Sequence, residues 1–232
     1  MELSPKFVVV LAVVLGAIGL LVVAPVLVPT PPVDESTYGY SVMLDTNATL
    51  ENVTLLLPLP VTGNGSGPVV DAVAAGAADA PPGWASDVVD TERGLALRLR
   101  ADEVPAERRP DGRRYSTYQF GVTVPADHVV DTATPYGEEP TLASVDGRRP
   151  RPCPNRVGDE SGESCFDFDS WVYLSYDAPP EADVGLVLVN NGVNTYRGPG
   201  HAMYYERLHL AFDGPQDGWQ RVGGFASTES GP

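Results

Sequence analysis

Lysine is almost missing from this chain, in which Lys6 is the sole example. The remaining cations are fourteen arginines, against thirty-one aspartates and glutamates, so the formal net charge is −16. A surface this negative repels nucleic-acid phosphates, and we therefore expect no nucleic-acid partner. An acidic, lysine-poor composition rich in Ala, Val and Gly is typical of extremely halophilic archaea, where salt screens repulsion between carboxylates. An ordinary acidic protein from a GC-rich organism is the alternative.

Motifs that carry catalysis are also missing. The three histidines show no ligand spacing such as H-x-H or H-E-x-x-H, and no serine lies in a G-x-S-x-G elbow. The sequence therefore predicts no catalytic residue, no cofactor, no metal and no enzymatic activity. One weaker grouping could floor a shallow pocket, although a polar strand face beside core aromatics explains it equally well: His201, Tyr205, Arg207 and His209 with Trp171 and Trp219.

The only two cysteines, Cys153 and Cys165, flank a polar loop. In a domain outside the cytoplasm they are expected to form a disulfide, which is worth about 3 kcal/mol in the chain-entropy model. Free thiols and a zinc site are the alternatives. Five acids between residues 159 and 169 suggest calcium, but they lack the regular offsets that calcium-binding loops use. A solvated acidic surface is the simpler interpretation.

Residues 7–28 contain no charged or strongly polar side chain. As a helix this segment is about 33 Å long, which matches a bilayer core of ~30 Å. We predict an uncleaved transmembrane helix, with a cleaved signal, a buried soluble helix and a pilin-like leader as alternatives. Lys6 lies before the span, which places residues 1–6 in the cytoplasm and the rest of the chain outside. The Pro-rich stretch 29–37 then forms a stalk.

After the stalk, side chains alternate with the period of β-strands. Tyr38, Tyr40, Val42 and Leu44 share one face of the first segment, and glycine and proline separate the segments that follow. About eight such strands predict a mainly β domain over 38–232, an antiparallel Ig-like β-sandwich. The strand segments are 38–44, a strand from Thr49, 95–101, 115–124, 171–176, 184–189, 204–212 and 219–225.

Local turn signals predict which strands are connected tightly. Residues 45–48 read as the turn of a hairpin whose return strand has Val53, Leu55, Leu57 and Leu59 on one face. Leu50 and Leu56 contradict that pattern, which indicates a bulge or a contact there. Residues 171–176 and 184–189 flank the loop "DAPPEAD" and predict a second hairpin. The alanine-rich stretch 69–80 predicts a short helix or a crossover, although Gly76 weakens the helix.

Three N-glycosylation sequons are clustered just after the predicted anchor, at Asn47, Asn52 and Asn64. The hairpin interpretation puts Asn47 on a turn and Asn52 on the solvent face of a strand. We therefore predict that this is a glycoprotein, with a plain tight turn at Asn64-Gly65 and a plain surface residue at Asn52 as the alternative.

Arginine is unevenly distributed, because eight of the fourteen lie in 107–114 and 146–156. Clustered guanidinium groups bind carboxylated or sulfated sugars through paired hydrogen bonds, which suggests a glycan partner. The alternative is that these arginines pair with the acids of the chain itself.

The stretches "ATLENVTLLLPLP", "PPGW", "TERGLALRLRADEVP" and "DTATPYGEEPTL" together resemble a loose group of membrane-anchored or secreted haloarchaeal proteins without an established function. The resemblance implies a β-sandwich on a membrane stalk and supplies no site residues.

Together these features predict a single-span cell-surface glycoprotein with a structural or recognition domain. The expected partners are the bilayer, through residues 7–28, and an envelope glycoprotein or glycan. The alternatives are an accessory subunit of a membrane or envelope complex, and an extracytoplasmic hydrolase acting on envelope glycans.

Overall fold

The computed structural model describes residues 32–108, 110, 112–153, 163–198 and 200–228, which fold into ten β-strands and one short helix. All strand pairs are antiparallel, so the prediction of a mainly β, antiparallel domain is confirmed. The elements are β1 (Val33–Thr46), β2 (Leu50–Pro58), α1 (Pro68–Ala74), β3 (Ala85–Thr91), β4 (Gly94–Val104), β5 (Ser116–Pro125), β6 (Arg149–Arg151), β7 (Ser164–Asp177), β8 (Asp183–Tyr196), β9 (His201–Asp213) and β10 (Gln216–Thr228).

The strands form one curled sheet in the order β3-β4-β2-β7-β10-β9-β8-β1-β5, with β6 beside β7. At its centre the sheet forks, because β9 and β10 pair only between residues 204–208 and 224–228. Beyond the fork, residues 209–213 pair with β8 and residues 216–223 pair with β7. The fork divides the sheet into a first leaf, β3-β4-β2-β7-β10, and a second leaf, β9-β8-β1-β5. The predicted sandwich of about eight strands in two separate sheets is thus replaced by ten strands in a single sheet, since β9 and β10 join the leaves.

A single hydrophobic core lies on the inner face of the curl, and every long strand contributes alternate residues to it. Tyr38, Tyr40, Val42 and Leu44 are buried as their period predicts, and so are Val53, Leu55 and Leu57 on β2 and Leu59 just after it. Each fully buried aliphatic side chain contributes roughly 1.5–3 kcal/mol. Alternation of apolar and polar residues therefore explains why these segments form strands with one face in the core.

Both predicted hairpins are wrong, although the turns exist. β1 pairs with β5 and β8, and β2 pairs with β4 and β7. Likewise β7 pairs with β10 and β2, and three strand pairings separate it from β8 in the sheet. Each of the two connections crosses from one leaf to the other. An apolar strand face buries itself equally well beside its neighbour or across the core, so turn residues alone do not select the partner strand.

The irregular leucines of β2 have two different explanations. Asn52 has a φ of 54°, and the register with β7 shifts between Glu51 and Thr54, so a bulge turns both Leu50 and Val53 towards the core. Leu56 is half-buried on the outer face, where it contributes to a groove described below. The expectation of a bulge or a contact is therefore confirmed at both positions: Leu50 lies beside a bulge, and Leu56 makes a contact in the groove.

The described residues cover only part of the segments predicted near the beginning of the chain. β1 begins at Val33, so the second half of the predicted stalk is a strand paired with β8. The predicted cytoplasmic residues 1–6 and the predicted span 7–28 lie outside the described residues. Within the described part of the chain, no helix is both long enough and apolar enough to cross a bilayer. The predicted short helix is present as α1, packed against β1, β3 and β5.

Residues 126–148, which we call the covering segment, pack over the core face of β1, β8 and β9. Val130 and Leu142 are buried in it, as are Glu139 and Thr141. Gly192 of β8 provides the space for this packing, because the ring of Tyr204 and the side chain of Val130 both lie directly against it. A Cβ atom at Gly192 would lie 2.3 Å from Tyr204 Cε1 and 2.8 Å from Val130 Cγ1.

We therefore expect Gly192→Ala to lower the free energy of unfolding by about 1–3 kcal/mol, the usual cost of overpacking a core. Gly121→Ala is the matched control, because β5 leaves its added Cβ in ordinary contact, 3.9 Å from Tyr40 O. Denaturant unfolding of both variants measures the difference. Equal stability of the two variants would show that Tyr204 does not pack on Gly192 as described.

Candidate ligand-binding face

The outer face of β7 and β10 carries an unusual row of side chains. Four cross-strand pairs follow one another along it for about 20 Å at the rise of a β-strand. From one end to the other, these pairs are Tyr173 with Trp219, Trp171 with Arg221, Asp169 with Gly223 and Asp167 with Phe225. We call this surface the β7–β10 face; it has an aromatic end and an arginine-rich end.

At the aromatic end, an open cavity of about 230 Å³ lies between the two indole rings and the β3–β4 turn. We call it the aromatic groove. Tyr173 holds Trp219 in an edge-on contact, with ring centroids 5.6 Å apart. Apolar side chains with a few polar groups are the usual lining of a small-molecule site. The residues that define the groove here are Leu56, Arg93, Ser144, Trp171 and Trp219.

The Arg93 guanidinium is fixed between the indoles. Its Cζ lies 3.8 Å from the ring centroid of Trp171 and 5.1 Å from that of Trp219. The Thr91 hydroxyl accepts a hydrogen bond from the Arg93 backbone N–H at 3.1 Å and donates one to the Gly94 carbonyl at 2.8 Å, which fixes the turn. Among the described residues the guanidinium has no hydrogen-bond acceptor, and its nearest carboxylate is the exposed Glu92 at 3.8 Å. A positioned cation with free donors is therefore available in this groove.

The opposite wall of the groove comes from the covering segment. Val145 N–H donates a 2.8 Å hydrogen bond to the Asp169 carbonyl, which aligns this wall with β7. Beside it, the Ser144 hydroxyl is buried and has no hydrogen-bond partner within the described part of the chain. An unpaired buried hydroxyl costs about 1–3 kcal/mol, and a ligand oxygen would relieve that cost.

The arginine-rich end is largely neutralised by the chain's own acids. Arg151 pairs with Asp167 at 2.8 Å, and Asp169 pairs with Arg149 at 3.2 Å and with Arg221 at 2.8 Å. Arg221 and Arg149 hold the pKa of Asp169 below its usual range. Arg149 and Arg151 of the second predicted cluster therefore pair internally, as the alternative interpretation of that cluster predicted.

The structure does not bring the residues predicted to floor one shallow pocket together: four of them are divided between two grooves, and His201 and Tyr205 line neither. Arg207 and His209 are exposed on β9 and border the arginine-rich end, in a cavity of about 570 Å³, whereas Trp171 and Trp219 line the aromatic groove. Two of the five acids in 159–169 that suggest calcium, Asp167 and Asp169, form ion pairs with arginines.

A buried carboxylate ties the covering segment to the sheet. Glu206 of β9 is fully buried, and its Oε2 accepts hydrogen bonds from Leu142 N–H at 2.7 Å and from Asn190 Nδ2 at 2.8 Å. Its Oε1 accepts a hydrogen bond from the Arg148 guanidinium, which also donates to the Leu142 carbonyl at 2.9 Å. Burial raises the pKa of the Glu206 carboxyl, and the donors around it oppose that shift. Because Arg148 lies only four residues after Ser144, the Arg148–Glu206 pair also positions the wall of the aromatic groove.

A second buried carboxylate, Glu139, lies within the covering segment itself. It accepts hydrogen bonds from the Tyr38 hydroxyl and, at 2.7 Å, from Asp131 N–H. His128 Nε2 lies 3.3 Å from Glu139 Oε1, and His128 Nδ1 lies 2.7 Å from Asp127 Oδ1. Burial and Glu139 raise the pKa of Tyr38, so the phenol stays a hydrogen-bond donor. This network fastens the segment to β1, and Tyr38, Asp127 and His128 border an open cleft of about 410 Å³.

The predicted modification sites lie at opposite ends of the domain. Asn47 and Asn52 are exposed at the β1–β2 connection, where Asn52 Nδ2 donates a 2.8 Å hydrogen bond to Asp177. Asn64 is exposed in the turn after β2 and borders the cleft beside His128. Cys153 and Cys165 form the predicted disulfide, which joins the end of β6 to the beginning of β7. The two sulfurs are bonded to each other, so they are not available as zinc ligands.

The sequence did not indicate the most important residues of the aromatic groove and of the covering segment. Glu206 was detectable, because extending the alternation of Leu208 and Leu210 backwards puts it on the core face. Arg93, Ser144 and Glu139 lie in turns and loops without periodicity, so no local pattern indicated their roles.

Comparison with known proteins adds no family to this geometry. No family model, no curated protein and no solved structure matches the chain. The resemblance to haloarchaeal surface proteins stays a prediction, and function is inferred here from the β7–β10 face itself.

The pKa of His128 is raised by Asp127 and by Glu139, although partial burial opposes the shift. A raised pKa means that protonated His128 stabilises the fold below the unfolded pKa of about 6.5 and loses this effect as pH rises through the folded pKa. We expect His128→Gln to reduce stability most at about pH 5–6 and progressively less at higher pH, as measured by denaturant unfolding. His209→Gln is the control, since His209 is exposed and has no carboxylate partner among the described residues. A pH-independent loss in His128→Gln would contradict the ion-pair role.

Proposed function

We propose that this chain is a single-span, cell-surface glycoprotein whose β domain recognises a component of the cell envelope and performs no catalysis. The observation that carries the proposal is the aromatic groove. Two tryptophans stand half-buried on the solvent side of β7 and β10, and between them lies a guanidinium with free donors. Side chains of this kind dominate the energy of recognition sites.

A rigid platform supports recognition of this kind. Trp171 and Trp219 project from two central strands that are paired along their whole shared length. Side chains held on a paired sheet lose little conformational entropy on binding, so more of the contact energy remains as affinity. The groove is open and presents no nucleophile beside a general base, which favours binding over hydrolysis of a bound glycan.

The surface location is supported by independent features of the chain. Residues 7–28 are apolar over a length that matches a bilayer core, and the sequons follow that stretch closely. Asn47, Asn52 and Asn64 are all exposed. A disulfide is typical of proteins that fold outside the cytoplasm. The acidic, lysine-poor composition favours the envelope of a halophilic archaeon as the setting.

Co-sedimentation with isolated envelope material tests the proposal. We expect the full-length chain, purified in detergent at high salt, to sediment with the envelope fraction of its own cells. Trp219→Ala removes an indole from the groove and is expected to weaken this association about tenfold or more, the effect of losing a binding hot spot. Tyr205→Ala is the matched control, because Tyr205 is a half-buried aromatic residue on the outer face of β9, outside the groove.

Equal sedimentation of the wild type and Trp219→Ala would refute a recognition role for the groove. Loss of binding after protease treatment of the envelope, with glycans left intact, would favour the alternative role as an accessory subunit that binds a protein partner. Release of shortened glycans during incubation would favour the alternative hydrolase.

A further inference from the structure

We propose that Arg93, Ser144 and Trp219 form a site for an acidic sugar, a saccharide ring that carries a carboxylate or sulfate group. This inference rests on the proposed recognition function and names the chemical class of its ligand. It draws on three features of the aromatic groove that are independent of one another: a positioned cation, an unpaired hydroxyl and a half-buried indole.

The first feature is the state of the Arg93 guanidinium. Stacking on Trp171 at 3.8 Å orients the planar group, and its side chain is 29% exposed, so ligand can reach it. Its N–H groups have no acceptor among the described residues, and Glu92, at 3.8 Å with 74% exposure, compensates its charge weakly. A planar fork of free donors matches the two oxygens of a carboxylate or sulfate. Because the ring has already fixed the side chain, little further entropy is lost when an anion binds.

The second feature is the Ser144 hydroxyl. It lines the same groove, is buried, and has no partner within the described residues. A hydroxyl both donates and accepts, so it pairs with a sugar hydroxyl, which does the same. Specificity for a hydroxylated ligand follows, because a ligand without that group would leave Ser144 unpaired.

The third feature is the apolar surface beside the cation. Trp219 and Leu56 line the same groove as Arg93. The C–H face of a pyranose ring packs on an indole in the same way as other apolar surfaces do. At about 230 Å³ the groove is smaller than typical drug-sized sites, which suits one sugar ring better than an extended peptide.

The combination separates this ligand from its competitors. A neutral sugar would use Trp219 and Ser144 and leave Arg93 without an acceptor. An acidic peptide side chain would use Arg93 and leave the indole and Ser144 without partners. Arg149, Arg151 and Arg221 of the β7–β10 face are already paired with Asp146, Asp167 and Asp169, whereas the Arg93 guanidinium in the aromatic groove has no hydrogen-bond acceptor among the described residues.

Ligand-observed NMR with the full-length chain in detergent tests the inference. The probes are methyl glycosides of glucuronic, galacturonic and mannuronic acid, each beside the neutral methyl hexoside of the same configuration, and the 6-sulfates of those hexosides. At one fixed salt concentration we expect at least one acidic probe to bind about tenfold more tightly than its neutral counterpart, the value of one good charge-assisted pair.

Three variants locate the interaction. Arg93→Gln should lower the affinity for the acidic probe to that for the neutral sugar, and Trp219→Ala should abolish binding of both. Ser144→Ala should weaken both sugars by a similar factor. Arg98→Gln is the matched control for Arg93→Gln, because Arg98 lies on the outer face of the neighbouring strand and pairs with Asp87 outside the groove.

The outcomes are distinguishable from failure of the proposed function. Envelope sedimentation that depends on Trp219, combined with no saccharide binding, overturns the acidic-sugar site and leaves the recognition role intact. Equal affinity for acidic and neutral probes, or an acid preference that survives Arg93→Gln, also overturns it. Absence of both sedimentation and saccharide binding overturns the two proposals together.

Discussion

Glu206 lies on the core face of β9 with both carboxylate oxygens occupied, by three donors from two parts of the chain. A carboxylate in this position is costly to desolvate, and its partners have to be present in good geometry for the fold to tolerate it. Two of those donors, Leu142 N–H and the Arg148 guanidinium, belong to the covering segment. The fold therefore requires this segment to close over the sheet in one arrangement.

The same constraint extends to the outer surface. Leu142 and Arg148 are both anchored in the core by Glu206. The chain between them, residues 143–147, runs outside the core and provides the wall of the aromatic groove through residues 143–145. Val145 N–H fixes the wall to β7 through the Asp169 carbonyl. The position of the Ser144 hydroxyl thus depends on a carboxylate on the other side of the sheet. The seven residues 142–148 connect the core directly to the candidate site, so a change at Glu206 reaches the groove through local contacts.

The fork between β9 and β10 explains why a sheet of this size still has a compact core. Pairing over 204–208 and 224–228 keeps the leaves continuous, and its loss beyond those residues lets each leaf curve independently. Gly224 contributes at the fork, since a Cβ there would lie 2.6 Å from both Leu208 and Phe168. Buried side chains from both leaves belong to the same hydrophobic core.

Local sequence patterns determined the strands and their buried faces, and even the irregularity at Leu50 was visible as a break in period. They could not determine which strands pair, because an amphipathic strand buries the same face in a hairpin or across a core. The candidate site was even harder to predict from local sequence patterns. Trp171 and Trp219 stood out as rare residues, whereas Arg93 acquires its role only when the β3–β4 turn folds over a strand almost eighty residues further along the chain.

Amide hydrogen exchange of the covering segment tests most directly whether Glu206 holds both the core and the groove. In the wild type we expect Leu142 N–H and Val145 N–H to exchange as slowly as the central strands, that is, only through global unfolding. Glu206→Gln leaves the Arg148 charge without its buried partner, which costs about 3–5 kcal/mol, and should accelerate exchange at these two amides by roughly 10²–10⁴-fold, whereas Glu181→Gln, an exposed control, should change neither. Unchanged protection of Leu142 and Val145 in Glu206→Gln would contradict the central role of this carboxylate.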